Sequence, residues 1–462
     1  MNATDLIPDA DLLRRFDRPG PRYTSYPTAD RFVDAYDVAT QRRVLEAGRQ
    51  KWGAKPLSLY VHLPFCNTLC YYCGCNKVIT KDHSRAAKYL RYLEREMDLV
   101  VDIIGARRHV EQLHWGGGTP TFLSEPELRE LMDMLRSRFD FAADGEYSIE
   151  IDPRSVDVSK MAVLGEIGFN RASLGVQDFD PDVQKAVNRI QSYEVTERAV
   201  NAAREHGFKS VNVDLIYGLP KQNPARFSET LSKTLILRPD RIALYNYAHL
   251  PTLFKPQRRI HEADLPSPAT RIELLQTAIR TLTDAGYVYI GMDHFASPDD
   301  DLAKAQKMGN LHRNFQGYST RAECDLIAFG VSAISAIGST YSQNVKSLDE
   351  YYDRLDQNEL PVMRGIELNA DDVLRRAVIQ SLMCQFTLSI ESLQTAYLID
   401  FHKYFADEME ALREYVDMGM VEIDDEWITV TPKGRLFVRA IAMVFDRYLR
   451  QSEMRARYSK VV

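Results

Sequence analysis

Apolar and polar residues alternate along residues 57–63, with Leu57, Leu59 and Val61 on one parity and Ser58, Tyr60 and His62 on the other. A period of two predicts a strand. Residues 84–104 switch to a helical period through Tyr89, Leu90, Leu93, Met97 and Val101. The exchange then repeats. Strands are expected at 111–115, 146–152, 171–176, 209–218 and 241–247. A helix is expected to start at the capping-box pair Ser124 and Glu127, and others near 159–167, 194–206, 224–236 and 268–285. Six βα units in succession predict a parallel sheet. Such units suit a barrel-like curved sheet or an open doubly wound one, and periodicity does not choose between them.

Polar residues gather where either architecture places chemistry, at the C-terminal ends of strands. Tyr60, the turn Gly116–Thr119, Glu150, Gln177, Asp214 and Tyr247 all fall there. Glu150 lies on the parity opposite Tyr147, Ile149 and Ile151, which also suits a solvated edge. Asp214 sits between Val213 and Leu215 in a strand that reads as central, where an unpartnered carboxylate is costly. After about residue 350 the pattern changes to helices at 371–385 and 401–418, then a two-stranded wing and a helix ending near Tyr448. This resembles a winged helix. The expected organisation is an extension over 1–50, a barrel over 51–350 and a mainly helical C-terminal domain over 351–462.

Composition narrows the function. The chain has 462 residues, 45% hydrophobic and 27% charged, with a net charge of -7. No basic stripe offers itself to phosphates, and the wing carries Glu422, Asp424, Asp425 and Glu426, so no nucleic-acid partner is expected. No membrane span or signal peptide is expected either, and the expected compartment is a reducing cytoplasm. Of six cysteines, four fall within Cys66–Cys75. Disulfide frameworks spread their cysteines, whereas clustered thiols in a cytosolic chain read as a metal or cluster site.

The spacing is Cys66-x3-Cys70-x2-Cys73. Structural zinc sites usually join two separated pairs, and no second pair is present. Three thiolates on one short loop can each hold one iron of a cubane. The fourth iron is then open to chelation by the amino and carboxylate groups of a methionine. Cys75 is awkwardly placed as a fourth ligand, because only Gly74 separates it from Cys73.

This motif after the first strand, with the aromatic Tyr72 inside it and the turn Gly116–Gly118 after the second strand, resembles the radical S-adenosylmethionine superfamily. The closer resemblance is to the oxygen-independent coproporphyrinogen III oxidase family. It rests on residues 21–27, 60–66, 73–77, 114–121, 149–154, 175–179, 213–220, 245–251 and 314–318. The resemblance implies a partial (β/α)6 barrel. It implies a [4Fe-4S] cluster on Cys66, Cys70 and Cys73. It implies one or two molecules of S-adenosylmethionine at Tyr60, Tyr72, Gly117, Gly118, Thr119, Glu150, Gln177, Arg189, Asp214, Ala248 and Ile334. Catalytic roles fall on Cys75, Glu150 and Gln316, with Phe315 close by and Arg22–Tyr26 as a lid segment.

The implied reaction is anaerobic decarboxylation of the ring A and B propionates of coproporphyrinogen III, with an external one-electron donor and a monomeric enzyme. Arg22, Lys77 and Arg154 are candidate partners for the substrate carboxylates, or plain surface ion pairs. His62 reads as a core histidine as readily as an acid or base. Two other readings stand beside this one. Heme chaperones of the superfamily share the cysteine spacing, but resemblance implies that they lack Cys75 and the Arg22–Pro27 segment. A zinc protein is the second.

Overall fold

The computed structural model describes residues 10–16, 19–51 and 55–450. The ends of the expected extension and of the C-terminal domain therefore lie outside the described residues. The six expected strands form as Leu57–Leu63, Arg108–Gly117, Phe139–Ile151, Arg171–Gln177, Ser210–Tyr217 and Arg241–Asn246. They pair in parallel, each with the next in sequence. A doubly wound sheet reverses its strand order at a switch point. No reversal occurs here, and the barrel-like alternative holds.

Why the strands alternate is now clear. Leu57, Leu59, Val61 and Leu63 pack with Leu90, Leu93 and Met97 of the helix Ser84–Ile104 in one apolar core between sheet and helices. The opposite parity faces the barrel interior. Gln112, His114, Ser148, Glu150, Ser173, Asn212 and Asp214, from four successive strands, line a single internal cavity of about 150 Å³. Only a curved sheet brings such side chains together.

The sheet is larger than the pattern indicates. A seventh parallel strand, Asp325–Phe329, pairs on the free side of the first. The antiparallel strands Ile334–Ile337, Thr340–Asn344 and Val362–Glu367 extend it beyond residue 350. At the other edge lie His294–Ala296 and Val288–Gly291. A separate hairpin, His312–Asn314 with Gly317–Ser319, places Asn314, Gln316, Tyr318 and Ser319 against the cavity.

The C-terminal region differs from expectation in detail. The helix expected over 401–418 is broken into Phe401–Tyr404 and Ala406–Asp417. The wing has three strands, because Thr387–Ser389 joins Val421–Ile423 and Trp427–Val430. The final helix is a series of short turns from Pro432 to Arg450, starting at a proline-led 3-10 turn. Among the described residues no helix is long and apolar enough to cross a membrane.

Candidate active site

The cluster loop leaves the first strand and is clamped at its root by the glycine turn. Gly118 N–H donates to the Leu63 carbonyl and Thr119 N–H to the Phe65 carbonyl, both at 2.8 Å. Glycine is required. Gly117 has φ of 114°, and a Cβ at Gly118 would lie 2.6 Å from the Pro64 backbone. Thr119 Oγ1 then donates to Cys66 Sγ at 3.5 Å.

A second set of groups surrounds Cys70. Arg189 Nη1 donates to its sulfur at 3.6 Å and Arg154 Nη2 at 3.8 Å. Asp152 pairs with both guanidiniums, at 2.6 Å from Arg154 and 3.3 Å from Arg189. Arg189 also donates to the Gly175 carbonyl at 2.6 Å, yet its buried Nε has no partner. Cys75 lies beside Cys73 and hydrogen-bonds it. That bond, with Lys77 nearby, holds the Cys73 thiol below the ordinary range, and the same bond with the Cys73 charge and burial holds Cys75 well above it. Burial pushes Cys66 up to about 11.

Fit to a cluster follows from the donor set. Arg154, Arg189 and Lys77 face the three thiols and favour thiolates, against the burial and mutual repulsion that raise Cys66. Among the described residues no three Cys, His, Asp or Glu side chains converge on a single ion. A cubane asks for separated thiolates, one to each iron.

Glu150 is inside the barrel and not at a solvated edge. Gly117 N–H donates to its Oε2 at 3.1 Å, and His114 Nε2 lies 3.3 Å from Oε1. Burial opposes its charge, but His114 and that N–H hold the carboxyl below its usual range. Asp214 has partners after all. Asn212 Nδ2 donates to Oδ1 at 2.7 Å, and Ser173 Oγ donates to Oδ2 at 3.2 Å. Burial and the nearby Glu150 push Asp214 up to about 7. Tyr60 stacks on His114 at 5.8 Å, and its hydroxyl lies 3.1 Å from His62 Nδ1. His62 Nε2 meets the Asn76 carbonyl at 3.0 Å, so this histidine is fully satisfied. Gln177 holds φ of 69°, a left-handed backbone that non-glycine residues adopt rarely and often at functional sites.

Residues 60–234 match the Radical SAM superfamily, and 368–437 match the HemN C-terminal domain. An oxygen-independent coproporphyrinogen III oxidase from Pseudomonas aeruginosa is 53% identical, over 98% of both chains. The enzyme of that name from Escherichia coli is 49% identical over 98% of both. The chain belongs to the oxygen-independent coproporphyrinogen III oxidases. A solved structure from Escherichia coli, described as coproporphyrinogen III oxidase (HemN), a radical SAM enzyme, covers 96% of this chain and 100% of its own, at 47% identity and a TM-score of 0.91. The radical SAM family binds a [4Fe-4S] cluster and S-adenosylmethionine.

Within this oxidase fold, some expected residues stand apart. Ile334 opens an antiparallel strand opposite Gln343, outside the residues lining the cavity. Phe315 packs against Phe32 and Tyr341. The three candidate cations are engaged elsewhere. Arg22 pairs with Asp293, Arg154 with Asp152, and Lys77 donates to the carbonyls of Cys73 and Cys75. Sequence reasoning missed Gln257. Its side chain, 2% exposed, donates to the carbonyls of Tyr72 at 3.0 Å and Ala248 at 3.1 Å. It also accepts the Leu250 N–H at 2.5 Å. It thereby ties the cluster loop to the end of the sixth strand. A lone glutamine in the short 3-10 turn Lys255–Arg259 carries no periodic signal.

Proposed function

We propose that this chain catalyses the oxygen-independent oxidative decarboxylation of the ring A and B propionates of coproporphyrinogen III, giving the vinyl groups of protoporphyrinogen IX. The observation that carries the reading is the clamp between the Gly116–Thr119 turn and the root of the cluster loop. It brings three thiols and a set of polar side chains to one end of the barrel, where they can orient a bound reactant. Near-full-length similarity to named oxidases supports the substrate.

In this reading Cys66, Cys70 and Cys73 hold the cluster. Gly117, Gly118, Thr119, Tyr60, Tyr72, Glu150, Gln177, Arg189, Asp214, Ala248 and Ile334 hold S-adenosylmethionine, as one molecule or two. When bound, these groups would supply a 5′-deoxyadenosyl radical for β-hydrogen abstraction, one S-adenosylmethionine being cleaved per propionate, after which CO2 would leave and one electron would pass to an external acceptor. Glu150 stays ionised and accepts from a ligand ammonium. Arg189 offers its unpartnered Nε as a buried donor. Asp214 holds or releases a proton near neutrality. Cys75 and Gln316 act on the substrate side. An external one-electron donor, a monomeric chain and a reducing cytoplasm complete the proposal. The last suits six cysteines that are all free.

The test is an anaerobic assay of the reconstituted chain with coproporphyrinogen III, S-adenosylmethionine and a chemical reductant. We expect 5′-deoxyadenosine and a divinyl product together. A fully loaded cluster that yields neither, while the chain binds heme stably, would replace the oxidase with a heme carrier.

A further inference from the structure

Arg313 is 3% exposed, and its Nη1 is buried with no hydrogen-bond partner. Among the described residues no carboxylate pairs with it. Its Nε makes one long bond, at 3.4 Å, to the Arg22 carbonyl, and its guanidinium stacks on the Tyr318 ring at 4.7 Å. A nearby carboxylate, Asp293, is engaged by Arg22 at 2.8 Å. Burying an uncompensated charge is strongly unfavourable, so such a group normally has a partner to receive.

The surroundings match that need. Tyr318 lines the internal cavity and meets the His294 ring edge-on at 5.3 Å. His294 and Gln316 line the same cavity, and His294 Nδ1 and Gln316 Nε2 are buried without partners. Burial and the Arg313 charge hold His294 neutral, down at about 3. Arg313 itself does not line the cavity, but it stands cross-strand from Tyr318, which does, so its guanidinium backs the wall on which His294 and Gln316 stand. The cavity, at about 150 Å³, is well below the roughly 300 Å³ at which whole-ligand pockets begin. It suits one flexible arm rather than a macrocycle.

We propose that Arg313, with Gln316 and His294, forms a carboxylate subsite at this cavity. The missing partner is an alkyl carboxylate brought by a ligand, which a guanidinium binds by charge-assisted and often bidentate hydrogen bonds. Two sources carry that group, a substrate propionate and the methionyl end of a second S-adenosylmethionine. The first source rests on the function proposed above.

The experiment uses the anaerobically reconstituted full chain. Fluorescence titration compares coproporphyrin III, which keeps four carboxylates, with its tetramethyl ester. Equilibrium dialysis counts bound S-adenosylmethionine. We expect the parent to prefer the acid, and Arg313→Gln to lower that preference about tenfold, with iron content and ester affinity unchanged. Arg313→Lys should restore part of it. An unchanged preference with fewer bound S-adenosylmethionine molecules assigns the subsite to the methionyl carboxylate. Unchanged preference and unchanged count in Arg313→Gln overturn the subsite. Should that variant fail to fold, Gln316→Leu and His294→Asn read the same ratio and count, and no effect from either overturns it. A parent that shows no acid preference and forms no vinyl product defeats the proposed function itself.

Discussion

Glu96 illustrates how far a single buried residue departs from its solution chemistry. On the helix Ser84–Ile104, its carboxylate accepts Tyr351 Oη at 2.6 Å, Gly330 N–H at 2.7 Å and Asn344 Nδ2 at 2.7 Å. Burial outweighs these bonds and pushes the carboxyl up to about 7, from 4.5. The folded chain thus holds this proton more tightly than the unfolded chain does. Its stabilising effect is complete below the unfolded pKa and is lost as pH rises toward about 7, a change of order 3 kcal/mol. Glu96→Gln removes the titration. Urea unfolding of parent and variant across this window should show the parent losing stability relative to the variant. Parallel pH curves would contradict the assignment. Asp214 shifts the same way for the same reason, but its neighbours belong to the candidate site. Neither shift is visible in sequence, because each depends on what surrounds a side chain and not on its own neighbours along the chain.

Elements divide by how strongly their sequence repeats. The first strand and the helix after it were legible to the residue, as Leu57–Leu63 and Ser84–Ile104. Both carry long, uninterrupted periodicity. The seventh strand, Asp325–Phe329, and the hairpin at His312–Ser319 were not legible, since strands of three to five residues show no period to read. The broken helix at Tyr404 and Phe405 was missed because its apolar pattern continues across the break. The cysteine spacing and the glycine turn were readable as motifs, but the clamp joining them is a tertiary contact. Gln257 is another such joint. Gln257→Leu strips two carbonyls and an N–H of their partner, at about 1–3 kcal/mol for each group left buried. The variant should keep its cluster iron but bind S-adenosylmethionine about tenfold more weakly, as read by equilibrium dialysis. Unchanged affinity would show that the tie serves folding alone.

At the scale of the whole molecule, barrel and C-terminal domain share one apolar core. Val213, Leu215 and Leu244 from the fifth and sixth strands pack in the same cluster as Leu374, Leu382, Phe401 and Phe445. The N-terminal segment is sewn into this junction. Tyr23 Oη donates to Asp446 at 2.9 Å, and Arg439 Nε donates to the Pro21 carbonyl at 3.1 Å. A continuous core couples unfolding of the parts it joins. Calorimetry should therefore give one transition, and Tyr23→Phe should lower it by about 1–3 kcal/mol of stability. Two resolved transitions would show independent domains. The same segment also runs along the outer rim of the large sheet, where Val33 N–H donates to the Gly365 carbonyl at 2.8 Å and Gly365 N–H returns a bond at 3.1 Å. An unguarded rim strand is a template for pairing with other chains. Val33 acts there as a hem, so a chain trimmed at its N-terminus would bare a sticky border and tend to associate edge to edge in dilute solution.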